Sequence, residues 1–233
     1  MASWVDFWNR DTSIYVSERH KTLHYRQVAK DIAALITAPG GHVLDHGSGE
    51  ATSADLVAAR CDVLYLCDAA PNTRARIAAQ FADNPKIRPV APEDLGSIPD
   101  GSLDLIVANS VLQYLDEATL DACLETWRDK LKPEGRLVLA DVIPPDVSPV
   151  TDAAALLRFA AEGGFLIAAG VGLVRTFFSD YRQLRGELGI STHSEADILN
   201  RLTGAGFTAQ RMAKNVGHNP ARMSFEAKIA SVA

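Results

Sequence analysis

Val43-Leu44-Asp45-His46-Gly47-Ser48-Gly49-Glu50-Ala51 is a short apolar run that ends in an acid and breaks into a Gly-x-Gly turn. Glycine tolerates backbone angles that other residues avoid, so the chain can turn sharply there and bring a ligand close to the main chain. The segment after the turn reads as a helix, and a helix amino terminus presents unpaired N–H groups. Taken alone, the pattern suits an ordinary strand-to-helix turn as well as a binding loop.

Two acids narrow the choice. Asp45 lies at the end of the first strand, and Asp68 closes the next apolar run, Val63-Leu-Tyr-Leu-Cys-Asp68. A carboxylate about twenty residues beyond the first glycine is placed to accept both hydroxyls of a ribose. A nicotinamide dinucleotide calls for Gly-x-Gly-x-x-Gly, but Thr52 holds the third glycine position. Asp45 would also repel a pyrophosphate. A ligand with an ammonium, a sulfonium and a ribose but no phosphate fits better, and S-adenosylmethionine has that composition.

Outward from this turn, apolar runs at 42–44, 62–66, 87–90, 103–108 and 137–142 alternate with helical stretches at 52–60, 71–82 and 117–131. Runs that are apolar throughout suit strands covered on both faces. Their alternation with helices implies right-handed βαβ units and a doubly wound sheet. Residues 3–37 read as helical up to Pro39-Gly40-Gly41, with Val28, Ile32, Leu35 and Ile36 on one face. Residues 151–186 carry no strand signal and read as two or three helices. Helix 194–204 follows, with Ser194 as its cap and Asp197 three residues in. Strands at 206–212 and 222–230 then form an antiparallel hairpin, because a short link cannot join parallel neighbours.

The motifs together resemble class I S-adenosylmethionine-dependent methyltransferases. Val43-Leu-Asp-His-Gly-Ser-Gly is similar to their first motif and Asp68 to their second-strand acid. Glu93-Asp-Leu with Pro99-Asp-Gly-Ser-Leu-Asp104 is similar to their third-motif and fourth-strand region, and Lys132-Pro-Glu-Gly-Arg-Leu-Val-Leu to the approach to their fifth strand. Within the family the likeness is to the small-molecule type that includes the ubiquinone and menaquinone methyltransferases. Ala51 stands where the family usually has a third glycine.

The resemblance implies a Rossmann-like α/β fold: a seven-stranded, mostly parallel sheet with a C-terminal antiparallel hairpin and a helical insertion. One domain would span 1–233, divided into an N-terminal helical lid (1–38), a cofactor-binding core (40–145), an apolar helical insertion (151–190) and a C-terminal helix and hairpin (194–233). The cofactor would be S-adenosyl-L-methionine, held by Asp45, His46, Gly47, Ser48, Gly49, Asp68, Ala69, Asn109 and Ser110. Either Glu93 or Asp94 would hold the adenine amino group. Tyr15, His20 and Gln113 are the candidates to meet the acceptor. No catalytic base is identified, and His24 and Tyr114 are the residues that could serve. His218, in Gly217-His-Asn-Pro220, reads as a turn residue.

Composition limits the partners. The 233 residues are 47% hydrophobic and 22% charged, as in globular chains. With 23 basic and 29 acidic side chains the net charge is −6, which opposes broad nucleic-acid binding. Cys61, Cys67 and Cys123 read as reduced core residues, and no Cys/His cluster has metal-ligand spacing. His20 and His24 share a helix face, but neither an acid nor a third ligand accompanies them. The amino terminus does not read as a secretory signal, and no apolar stretch reaches the length of a bilayer span, so the expected location is cytoplasmic. The insertion carries Leu156-Leu157, Phe159, Phe165-Leu-Ile, Leu173-Val174 and Phe177-Phe178. It would lie above the acceptor side of the site, as a packed cap, a homodimer face or a tunnel for a lipid or isoprenoid. Arg158, Arg175, Arg182 and Arg185 would supply peripheral membrane contact. Two other readings compete: a non-catalytic S-adenosylmethionine-binding subunit or sensor, and a NAD-dependent oxidoreductase.

Overall fold

The computed structural model describes residues 4–9, 14–177 and 189–231. Seven strands form one sheet: β1 His42–His46, β2 Val63–Cys67, β3 Ile87–Val90, β4 Leu103–Asn109, β5 Leu131–Val142, β6 Phe207–Arg211 and β7 Met223–Ile229. Their order is β3-β2-β1-β4-β5-β7-β6. β1 pairs in parallel with β2 and β4, β2 with β3, and β4 with β5. Only β7 runs the other way, antiparallel to both β5 and β6. Chain order reverses across β1 and β4, and the carboxyl ends of these strands open a crevice at that switch point.

Successive residues of a strand face opposite sides, and each side of this sheet has its own helices. Leu44, Ile106, Ala108, Leu137 and Leu139 face one way, against Leu120, Leu124 and Trp127 of α5 (Glu117–Lys130) and Ile198 and Leu202 of α8 (Glu195–Gly204). Val43, Leu64, Leu105, Val107 and Val138 face the other way. They meet Val28, Ala29 and Ile32 of α2 (Glu18–Leu35), Val57 and Ala58 of α3 (Asp55–Ala58), and Ile77 of α4 (Pro71–Gln80). Burying each such aliphatic side chain contributes about 1.5–3 kcal/mol. Ser194 caps α8, accepting from the Asp197 N–H at 3.1 Å, as its position suggested. All three cysteines are free.

The helical stretches take more definite form in the structure. The amino-terminal region supplies α1 (Trp4–Trp8) and α2, which starts where the Ser17 hydroxyl accepts from the His20 N–H at 3.1 Å. The helix expected over 52–60 shrinks to α3, because Ala51 has φ +43° and a tight turn closes from Ala54 N–H to Ala51 C=O at 2.8 Å. The insertion supplies α6 (Pro149–Gly163) and α7 (Leu166–Phe177), which pack on α2 through Phe159, Phe165, Val16 and Leu23. Their described residues do not line the crevice at the carboxyl ends of the strands. Phe178, Arg182 and Arg185 fall outside the described residues. Among the described residues, no helix is long and apolar enough to cross a membrane.

Candidate functional site

A cavity of about 860 Å³ opens above the carboxyl ends of β1, β2 and β4. Its floor is the turn after β1. Gly47 has φ +75°, and a Cβ there would come within 2.1 Å of Val111 Cγ2. Gly49 has φ +57°, and a Cβ would come within 2.7 Å of the Tyr25 hydroxyl. Both positions therefore need glycine. Gly47 and Ser48 donate N–H to the Cys67 carbonyl, at 2.7 and 3.0 Å, which ties the turn to the end of β2.

Asp68 stands beside it. Its carboxylate accepts from Gly49 N–H at 3.0 Å and from Ala70 N–H at 2.8 Å, so its position is set by the main chain. Asp45 is buried, and among the described residues no cationic side chain pairs with it. Burial first, and Asp68 second, push its pKa up to about 7. A buried acid with no cationic side chain against it is a seat for a positively charged ligand. Asn109 and Ser110, at the end of β4, complete this side. Asn109 Oδ1 is buried without a hydrogen-bond partner, and Ser110 (φ +58°) donates its hydroxyl to Asp141 at 2.7 Å.

His46 also lines the cavity, but Nδ1 of its ring accepts from the Trp127 indole N–H at 3.3 Å and packs against that indole. Burial lowers its pKa to about 4. Ala69 lines the rim. Glu93 and Asp94 do not line the cavity. They are exposed on a 3₁₀ turn, Pro92–Ser97, whose inward positions belong to Pro92 and Leu95. An apolar side chain takes the inward place in this turn, and neither carboxylate faces the cavity.

The opposite wall is the amino-terminal region. Tyr15, His20, His24 and Tyr25 line it, and the Tyr25 hydroxyl accepts from Glu50 N–H at 3.0 Å. Lys21 pairs with Glu50. Burial raises the pKa of Tyr15 well above its usual value and that of Tyr25 to about 12. It lowers His20 to about 4 and His24 to about 3. α1 closes the far end: Trp4 and Trp8 lie 4.7 and 5.8 Å from the Tyr114 ring. Asn9 accepts from the Asn72 N–H at 2.8 Å, pinning α1 to the start of α4. Gln113 lines the same end, its Oε1 buried without a partner.

Among the described residues, none of α6 or α7 lines the cavity, whereas Ile190, at the end of the expected insertion, does. The apolar part of the wall comes from Trp4, Val5, Trp8 and Ile14, while Phe159 and Phe165 stack behind His218 and His20. Sequence reasoning missed Trp4, Trp8, Tyr25, Asp141, His218 and Arg222, all of which line the cavity. The run of aromatics in the first 25 residues was the one signal that pointed to this wall. His218 is a third imidazole beside His20 and His24, yet among the described residues no trio is arranged to hold a metal ion.

A family model described as a methyltransferase domain matches residues 44–139. No curated protein matches the chain by sequence. Solved structures do share its fold. Magnesium protoporphyrin IX methyltransferase from Synechocystis, with bound SAH, is 19% identical, with a TM-score of 0.60 over 97% of this chain and 93% of that one. The DhpI–SAH complex is 15% identical, with a TM-score of 0.59 over 98% and 96%. The YcgJ protein of Bacillus subtilis is 12% identical, with a TM-score of 0.61 over 90% and 100%.

Proposed function

This chain carries a class I methyltransferase domain, and from that premise we propose that it moves a methyl group from S-adenosylmethionine to a small, lipophilic acceptor. The match of residues 44–139 to a methyltransferase domain supports this reading. The observation that carries the reading is the pair of acids around the glycine turn. Asp45 is buried with no cation against it, and Asp68 is fixed by two N–H groups. The donor's ammonium and sulfonium suit the first, and its ribose hydroxyls the second. Gly47 and Gly49 let the donor approach the main chain, and the partnerless Asn109 Oδ1 is available to it.

When bound, the donor supplies a methyl group already activated on a sulfonium. The protein's task is then to hold the acceptor in line and keep water out, and alignment alone can lower a barrier by about 7–11 kcal/mol. Tyr15, Tyr25, Trp4, Trp8 and Tyr114 form the dry wall that would do this. The same wall favours an apolar, ring-bearing acceptor. Leu157, Leu166, Ile167, Val171 and Val174 are exposed on α6 and α7, with Arg158 and Glu162 exposed beside them on α6. We assign that exposed face to contact with an anionic lipid surface from which the acceptor is drawn.

Calorimetry with S-adenosylmethionine, S-adenosylhomocysteine and NAD tests the donor. Asp68→Ala should weaken S-adenosylhomocysteine binding about tenfold or more, because a hydrogen bond to a charged group contributes about 1.5–3 kcal/mol. Unchanged affinity would mean that the ribose lies elsewhere. Labelled donor incubated with fractionated lysate, followed by mass analysis, identifies the product. Binding without transfer in any fraction would favour the non-catalytic subunit or sensor, and binding of NAD would favour the oxidoreductase.

A further inference from the structure

Three imidazoles meet on one side of the cavity. His20 and His24 come from α2, and His218 from the link between β6 and β7. Their ring centres stand 6.4 Å apart for His20–His24, 6.4 Å for His20–His218 and 5.9 Å for His24–His218. All three line the cavity, and burial disfavours the charged form of each.

Their surroundings separate them. His24 faces burial and the other two rings, and His20 faces burial and His218. No acid offsets this in either case. His218 also meets burial, with Arg222 opposing its charge, but two carboxylates, Asp141 and Asp152, favour it. Asp141 is anchored by the Ser110 hydroxyl at 2.7 Å and the Asn215 amide at 3.3 Å. Asp152, on α6, is clamped by Arg222 Nη2 at 2.7 and 2.8 Å, so the two charges oppose each other at His218 and Asp141 is the carboxylate that favours its charge most. The His218 ring lies flat on Phe159, 4.4 Å between centres and 19° between planes, which fixes its orientation. Ser110 is also a residue of the proposed donor side, so its hydrogen bond to Asp141 connects that side to a carboxylate that favours the His218 charge and lines the same cavity.

We propose that His218 is the catalytic base of the methyl transfer and that the acceptor presents an aryl hydroxyl to it. The inference rests on the methyltransferase reading. A ring kept uncharged by burial is a modest base, effective against a phenol (pKa about 10) but not against a far less acidic alkyl alcohol. The aromatic wall of Trp4, Trp8 and Tyr114 suits the same acceptor. His218 takes the hydroxyl proton as the oxygen lone pair bonds to the methyl carbon. The sulfur–carbon bond breaks with its electron pair retained on sulfur, leaving S-adenosylhomocysteine and an aryl methyl ether. The proton then passes from His218 to water. Asp141 is a positioning residue that stabilises the imidazolium.

The probe is 2-naphthol with S-adenosylmethionine. His218→Gln should lower kcat roughly 10²–10⁴-fold while S-adenosylhomocysteine affinity is unchanged. Asp141→Asn should move the acidic limb of the kcat profile to lower pH, which a purely structural role would not do. Independently of turnover, nitrogen-15 NMR of the imidazoles should show His218 titrating at higher pH than His20 and His24, and at lower pH in Asp141→Asn. The proposal is overturned by wild-type kcat in His218→Gln, by a limb or titration that Asp141→Asn leaves in place, by preference for 2-naphthylamine, or by no product from 2-naphthol. If the wild-type protein fails to bind S-adenosylhomocysteine, the methyltransferase reading itself falls.

Discussion

A carboxyl group buried at the end of β1 holds its proton tightly, and Asp45 accordingly titrates at about 7, through burial first and Asp68 second. Its folded pKa lies above the unfolded value, so its stabilising contribution is complete below about pH 4 and is lost as pH rises through 7. Binding should run the other way, since a cationic donor prefers the ionised form. At pH 6.5 S-adenosylmethionine should displace a proton, making the calorimetric enthalpy depend on the buffer's ionisation enthalpy. Asp45→Asn should abolish that dependence, and a buffer-independent enthalpy in the wild type would place the cation elsewhere. Gly47→Ala combines a left-handed φ with the clash on Val111 Cγ2, so it should cost about 2–4 kcal/mol and lower Tm by several degrees. That the turn and both acids stand together at the strand ends was legible in sequence, because each has a local reason to stand there. That Glu93 and Asp94 face away from the cavity was not, since a 3₁₀ turn leaves no periodic signal of which side chain points inward.

At the scale of elements, helix periodicity located α2, α4, α5 and α8, and apolar runs located every strand. The relative placement of elements was harder to foresee. In the apolar insertion, Phe159 of α6 and Phe165, just before α7, stack on His218 and His20, while α1 and the segment leading into α2 wall the cavity together with Ile190. Chain order alone does not say on which side of a wall a hydrophobic helix will rest. α6 matters through Asp152, which holds Arg222 at 11% side-chain exposure. Asp152→Ala would remove both hydrogen bonds of that guanidinium and leave only the Asp141 charge to offset it, with Arg222 Nε already buried and partnerless. We expect a loss of about 2–3 kcal/mol in denaturant unfolding, somewhat below a fully buried pair because Asp152 keeps some solvent. A midpoint within error of wild type would show that the clamp contributes nothing.

Across the whole molecule, the two-sided sheet accounts for most of the core, and the outlying feature is the outer face of α7. Leu166, Ile167, Val171 and Val174 share that face, with Ile167 at 87% and Val174 at 65% exposure. If it meets lipid as assigned, the protein should co-sediment with anionic vesicles at low salt and be released as salt rises. No sedimentation at low salt would count against that assignment, and a concentration-dependent dimer would give the face to a second copy instead. The order β5-β7-β6 carries a different consequence, one of timing. β7 is made after β6 but slots between it and β5, so until residues 223–229 have emerged from the ribosome β6 has no neighbour and β5 offers a bare edge. Such a nascent chain is open to sticking to others, and His218, in the link just before β7, reaches its place only as that last strand closes the sheet.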